Sequence, residues 1–188
     1  LAALGRHDEA RAAWDRAAGR GEAGAALRSR LLGEPVPALP PGEDVGGAPR
    51  VVAGKVNVLL FTGSSDYDGL AIAVRLERLL RDVGTERLAI AAIVHPVNGT
   101  LLPASADEAL AQVLHERVGG VPAENLARAH ERLGLSFPLR VDMHGSWAGE
   151  PSHRVRCVVV DTDGLVAGFS GRESRVPLVR ELVGRLVR

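Results

Sequence analysis

A single cysteine, Cys157, and a single methionine are all the sulfur in this chain of 188 residues. One cysteine excludes an intrachain disulfide and any zinc site built from cysteine pairs. Aromatic residues make up only 3% of the sequence, too few for the stacking platforms that hold single-stranded nucleic acid. Lysine is nearly absent: Lys55 stands alone among arginines. Formal net charge is zero, so the basic excess of a nucleic-acid-binding protein is missing. No apolar run approaches the roughly 20 residues that cross a bilayer. No secretory signal is visible, but the chain opens at Leu1 in what reads as the middle of a helix. Residues upstream are therefore expected, and a missing targeting signal carries little weight.

What is present is enough for a core. Hydrophobic residues reach 46%, and the length predicts one domain of about 100–150 residues with an appendage. Residues 1–32 are rich in Ala and Arg and helical in character. Residues 33–50, "GEPVPALPPGEDVGGAPR", are dense in Pro, Gly and acids and read as a linker or irregular connection. The compact domain is expected over residues 51–188.

From Lys55 the pattern alternates. Lys55–Phe61 is a short Val/Leu run of the kind that forms a buried strand. Ile72, Leu76, Leu79, Leu80 and Val83 recur at helical spacing. Leu88–Val94 is a second buried strand, ended by His95-Pro96. Ser105 and Glu108 have capping-box spacing at the start of a helix. Pro122 opens another, closed by Gly134. Phe137–Val141 and Val155–Val160 read as strands. "DTDG", Asp161–Gly164, has hairpin-turn chemistry and makes Leu165–Phe169 the return strand. Leu178, Val179, Leu182, Val183 and Leu186 form one face of a terminal helix. A β-α-β unit implies a right-handed parallel crossover, and the hairpin adds an antiparallel edge. The expected architecture is α/β: a mixed central sheet with helices on both faces.

The turn "GSSDYDG" lies between the first strand and its helix. Ser64, Ser65, Asp66 and Asp68 suit a helix start, where side-chain oxygens accept from orphan N–H groups and negative charge complements the dipole. Elsewhere, alternation puts Val155, Cys157 and Val159 on one face, and Cys157 reads as a small buried hydrophobe. His144 and His153 flank the loop "MHGSWAGEPSHR". With Asp66, Asp68 and Asp142 they compose a carboxylate and imidazole set able to hold a metal or move protons, although no ligand spacing supports it.

Three stretches resemble the thioredoxin-like fold, in its redoxin branch of TlpA- and ResA-type thiol–disulfide proteins and peroxiredoxins. "KVNVLLFTGSSDYDGLAIAVRLERLL" is similar to the family's first strand, active-site turn and long helix. "RLGLSFPLRVD" resembles its Phe-Pro-led strand, and "RCVVVDTDGLVAGFSG" its hairpin. The resemblance runs from Arg50 to Arg188. It implies that the family's Cys-x-x-Cys falls on Asp66-Tyr67-Asp68-Gly69, where neither cysteine is present. It also implies a cis-proline near Val155, where the closest proline is Pro151. Disulfide exchange needs a thiolate at this helix N-terminus, and Asp66 supplies an anion without sulfur. Thioredoxin-like domains bind extended peptides near this turn, so the resemblance implies a binding surface drawn from Ser65, Asp66, Tyr67, Asp68, Trp147 and His153.

Separately, "GRHDEARAAWDRAA" resembles the second helix of a tetratricopeptide repeat, with Gly5, His7, Ala10, Trp14 and Ala17 at its small and large positions. The expectation is a redox-inactive thioredoxin-like binding or scaffolding module with a protein or peptide partner, no nucleic acid, no membrane span and no cofactor. The alternatives are a thiol–disulfide oxidoreductase using Cys157 or a partner's thiol, and a metal-binding domain through Asp66, Asp68, His144 and His153. The Ala, Gly and Arg abundance suggests a high-GC bacterial genome, and the cytoplasm and periplasm are equally compatible with it.

Overall fold

The computed structural model describes residues 7–21, 25–63, 67–95, 123–142, 146–147, 150–151, 156–170 and 176–187. Two short helices come first, α1 (His7–Gly19) and α2 (Ala25–Leu31). The strands are β1 (Glu43–Val45), β2 (Val56–Gly63), β3 (Leu88–His95), β4 (Leu139–Val141), β5 (Ser146–Trp147), β6 (Glu150–Pro151), β7 (Cys157–Val160) and β8 (Val166–Ser170). Helices α3 (Tyr67–Val83), α4 (Ala123–Arg132) and α5 (Val176–Leu186) complete the described elements. The expected helix beginning at Ser105 lies outside the described residues.

Six strands form the main sheet in the order β1-β4-β3-β2-β7-β8. β2, β3 and β4 run parallel, while β1, β7 and β8 each pair antiparallel with their neighbours. β2 and β3 are buried along nearly their whole length, which is why their sequences are continuous apolar runs rather than alternating ones. Alternation still sorts their side chains. Val56, Val58, Leu60, Ile90, Ala92, Cys157 and Val159 meet Ile72, Leu76 and Leu79 of α3 and Val179, Leu182 and Val183 of α5. On the other face Leu59, Phe61, Ile93, Val158 and Val160 meet Leu27 and Leu31 of α2. The sheet is thus covered by helices on both sides, and the N-terminal helices are part of that covering.

Local chemistry fixes the β7–β8 turn. Asp161 Oδ1 accepts from the N–H groups of Asp163 (3.0 Å) and Leu165 (2.9 Å). Gly164 takes a φ of 84°, in the region where a side chain is costly. In the core, Asn57 is 1% exposed yet satisfied. Its Oδ1 accepts from Val52 N (2.7 Å), and its Nδ2 donates to the carbonyls of Val52 (3.1 Å) and Lys55 (2.8 Å).

The segment 33–50, read from sequence as a linker, is corrected by the structure. It holds β1, which is only three residues long. Asp44 lies opposite Arg140 in the β1–β4 register. Arg140 donates to both carboxylate oxygens of Asp44, Nε at 2.6 Å and Nη2 at 2.9 Å, and its Nη1 donates to Pro40 O at 3.2 Å. The Asp44 hydrogen bond holds the Arg140 guanidinium above its ordinary pKa. Upstream, Gly33 N donates to Val166 O, Val166 N to Glu34 O and Val36 N to Gly164 O. Residues 33–45 therefore start on β8 and end on β4, crossing the sheet from one margin to the other. Val36 and Leu39 pack on the α2 face along the way.

Candidate functional site

Parallel strands bring their carboxyl ends to one rim, and in open α/β sheets that rim is where ligands bind. Here the register sets Gly63 of β2 beside His95 of β3, and Val94 beside Val141 of β4. β7 enters from the opposite direction, so its first residues reach the same rim. Leu60 pairs with Cys157, and Phe61 N donates to Arg156 O at 2.8 Å. The rim thus assembles Thr62, Gly63, His95, Asp142 and Arg156, with Thr62 and Arg156 against Gly69 in the first turn of α3.

Polar groups are buried there. Thr62 is 5% exposed, Arg156 7% and Asp142 0%. Arg156 Nη1 donates to Thr62 Oγ1 at 3.3 Å. Both side chains press on Gly69, in the first turn of α3. A Cβ built on Gly69 would stand 1.6 Å from Thr62 Oγ1, 2.6 Å from Thr62 Cβ and 3.0 Å from Arg156 Nη1. No side chain fits at Gly69 while Thr62 keeps its place. A buried guanidinium beside the first turn of α3 also adds positive charge at the positive end of that helix's dipole.

His95 is half-buried, and its Nδ1 lies 3.1 Å from Asp142 O. A carbonyl oxygen only accepts, so Nδ1 carries the proton of this bond. The backbone continues the contact, because Asp142 N donates to Val94 O at 2.9 Å. β4 and β3 are thereby locked at the rim.

α3 is anchored further along by Glu77, 4% exposed. Its carboxylate accepts from Ser136 N at 2.8 Å, Ser136 Oγ at 3.0 Å and Arg81 Nε at 3.0 Å. A buried carboxylate costs several kcal/mol unless it is paired in this way. The bonds tie α3 to the loop that leads into β4.

Cys157 is 1% exposed. Burial pushes its thiol up to about 11, against the smaller opposing pulls of the Ser170 hydroxyl and the Arg156 charge. A thiol in this state is neutral at physiological pH and closed to solvent, the opposite of a reactive cysteine.

Of the residues singled out in the sequence, Tyr67 and Asp68 are the first two residues of α3. Ser65, Asp66, His144 and His153 lie outside the described residues. Among the described residues no group of three His, Cys, Asp or Glu side chains is placed to hold a metal ion. Trp147 is a correction. It is expected beside a groove, but it is 2% exposed and packs with Phe61, ring centroids 4.8 Å apart. Phe61 points to the α2 face, so Trp147 completes the core there. Arg156, Thr62 and His95 were not singled out. The one sequence signal for Arg156 is a charge abutting the apolar run of β7, which ordinarily marks a strand end in solvent.

No protein-family model and no curated protein matches the sequence. Solved structures do match. A thioredoxin-like protein solved in solution in its oxidized form superposes with a TM-score of 0.60 at 16% identity, over 86% of this chain and 97% of that one. The fold is thioredoxin-like. A thiol-disulfide isomerase from Corynebacterium glutamicum gives 0.57 at 15% identity, over 81% of this chain and 96% of its own. A thiol:disulfide interchange protein of the thioredoxin family from Chlorobium tepidum gives 0.52 at 13%, over 82% and 98%. The thioredoxin-like architecture accounts for the mixed sheet and for the rim at the start of α3.

Proposed function

We propose that the chain is a redox-inactive thioredoxin-like module that binds an extended protein or peptide segment at the rim around the start of α3. One observation carries the reading. At Gly69, where the resemblance places the second cysteine of the family's Cys-x-x-Cys, the space a side chain would need is taken by Thr62 and Arg156. The position carries no sulfur and has no room for one while Thr62 keeps its place. The chain's sole cysteine is buried with a raised pKa, and disulfide exchange needs an accessible thiolate.

The neighbours' names point to thiol–disulfide chemistry, and that remains the second reading, with Cys157 or a partner's thiol as the nucleophile. Burial of Cys157 in the core weighs against it. The N-terminal helices support a scaffolding role. α1 and α2 pair as a helical hairpin, with the Arg28 guanidinium 4.9 Å from the Trp14 ring centroid. We read α1 as resembling the second helix of a tetratricopeptide repeat.

An insulin-reduction assay with dithiothreitol as reductant tests the first half of the reading. The protein and its Cys157→Ser variant are expected to give the same rate as buffer. Turnover that disappears in Cys157→Ser overturns the proposal. Photo-crosslinking to reduced, carboxymethylated lactalbumin, an unfolded polypeptide, tests the second half. Adducts are expected at residues 62–69 and 95; adducts confined to other surfaces reject the rim as the binding site.

A further inference from the structure

A second surface is built like a recognition groove and is independent of the rim. A cleft of about 570 Å³ runs between α3 and α5, lined by Arg75, Arg78, Leu79, Asp82, Val176, Pro177 and Arg180. That volume is within the range of ligand-sized clefts, roughly 300–1,000 Å³. Its floor is apolar, from Leu79, Val176 and Pro177, and its walls carry three guanidinium groups against one carboxylate.

The arginines are placed at a cost. Arg75 and Arg78 are exposed and stand at i and i+3 on α3, where like charges are neighbours and destabilise the helix. Asp82, four residues beyond Arg78, could relieve them. It is instead ion-paired across the cleft with Arg180 of α5. Arg75 and Arg78 make no ion pair among the described residues. Among the described residues the cleft thus sets three guanidinium groups against one carboxylate over an apolar floor, on a chain whose net charge is zero.

We infer that the α3–α5 cleft binds an acidic peptide segment of a partner protein, with an aliphatic side chain on the floor and carboxylates on Arg75, Arg78 and Arg180. Guanidinium groups suit carboxylates because their planar donors engage both oxygens. A bare inorganic anion would leave the apolar floor unused. The spread of three arginines along two helices suits an elongated occupant more than a point charge. The Asp82–Arg180 pair acts as an internal competitor that an incoming carboxylate displaces.

The probe is a fluorescein-labelled peptide, Glu-Asp-Leu-Asp-Glu, read by anisotropy on the intact chain. Binding is expected to weaken about tenfold or more in the Arg75→Glu, Arg78→Glu double variant, and several-fold as salt rises from about 50 to about 300 mM. Asp82→Asn is expected to tighten it several-fold by releasing Arg180. Circular dichroism checks that the variants fold, and Arg180→Gln is a milder substitution with the same expected direction. Three results overturn the inference: no saturable binding, binding that ignores these substitutions, or equal affinity when Gly replaces the peptide's Leu. Competition by inorganic phosphate as strong as by unlabelled peptide, or preferential binding to phosphatidylserine vesicles, likewise rejects a peptide as the occupant.

Discussion

Gly69 and Thr62 are in such close approach that an added Cβ would stand 1.6 Å from the threonine hydroxyl. The first turn of α3 rests directly on the end of β2, with Arg156 closing the third side. A cysteine introduced here has nowhere to go. Gly69→Cys is expected to cost about 1–3 kcal/mol, the usual range for overpacking. Urea unfolding measures it. Thr62→Ala removes the nearest atom but keeps Cβ, so the double variant should recover part of the loss. Strict additivity of the two changes would show that the contact does not matter.

Cys157 predicts a dependence of stability on alkaline pH. Its folded pKa is raised from the ordinary 9.0 to about 11. The folded state then keeps a proton that the unfolded state has released. Stability from this group is complete below pH 9 and is lost as pH rises toward 11, by about 2–3 kcal/mol in all. Cys157→Ala should flatten that stretch of the stability curve. A thiol reagent such as dithionitrobenzoate should react with the native chain no faster than the chain opens.

Glu77 joins α3 to the loop before β4. Replacing it with Ala removes the charged acceptor of the Ser136 N–H and hydroxyl and is expected to cost about 2 kcal/mol, as for hydrogen bonds to a charged acceptor. Glu77→Gln keeps the shape and should cost less. Thermal or chemical unfolding separates the two; an alanine variant as stable as the parent would show that Ser136 finds water instead.

Trp147 tests the α2 face. Trp147→Ala should cost about 3–5 kcal/mol by opening a cavity against Phe61. Trp147→Phe should lose the blue-shifted part of the fluorescence and leave the more exposed Trp14 emission.

Much of this fold was legible in the sequence, because period carries it. β2 and β3 are unbroken apolar runs, α3 and α5 repeat their apolar residues at helical spacing, and the turn after β7 announces itself in Asp161 and Gly164. What could not be read comes from contacts distant along the chain. β1 has no strand pattern of its own. Glu43–Val45 is extended because Arg140, nearly a hundred residues later, holds Asp44 with two hydrogen bonds. Tertiary context of this kind outweighs weak β propensity. Trp147 was misplaced for a related reason, since a short loop sequence says nothing about which side of a sheet it will fold onto. At the rim, the sequence shows no cysteine between Asp66 and Gly69. The crowding of Gly69 by Thr62 and Arg156 could not be seen there, because it depends on how closely α3 seats on the end of β2.

The crossing made by residues 33–45 has a consequence for behaviour in concentrated solution. An unpaired outer strand offers its free N–H and C=O groups to any passing chain, and so templates strand-by-strand polymerisation. Here one proline-bearing stretch hydrogen-bonds to β8 at its start and to β4 at its finish, so the same few residues blunt both lateral ends of the sheet. Four prolines in that stretch contribute no N–H donors of their own. What reads as filler between two segments thus leaves a three-residue strand at one margin of the sheet and covers the start of β8 at the other, which reduces the edge open to another chain.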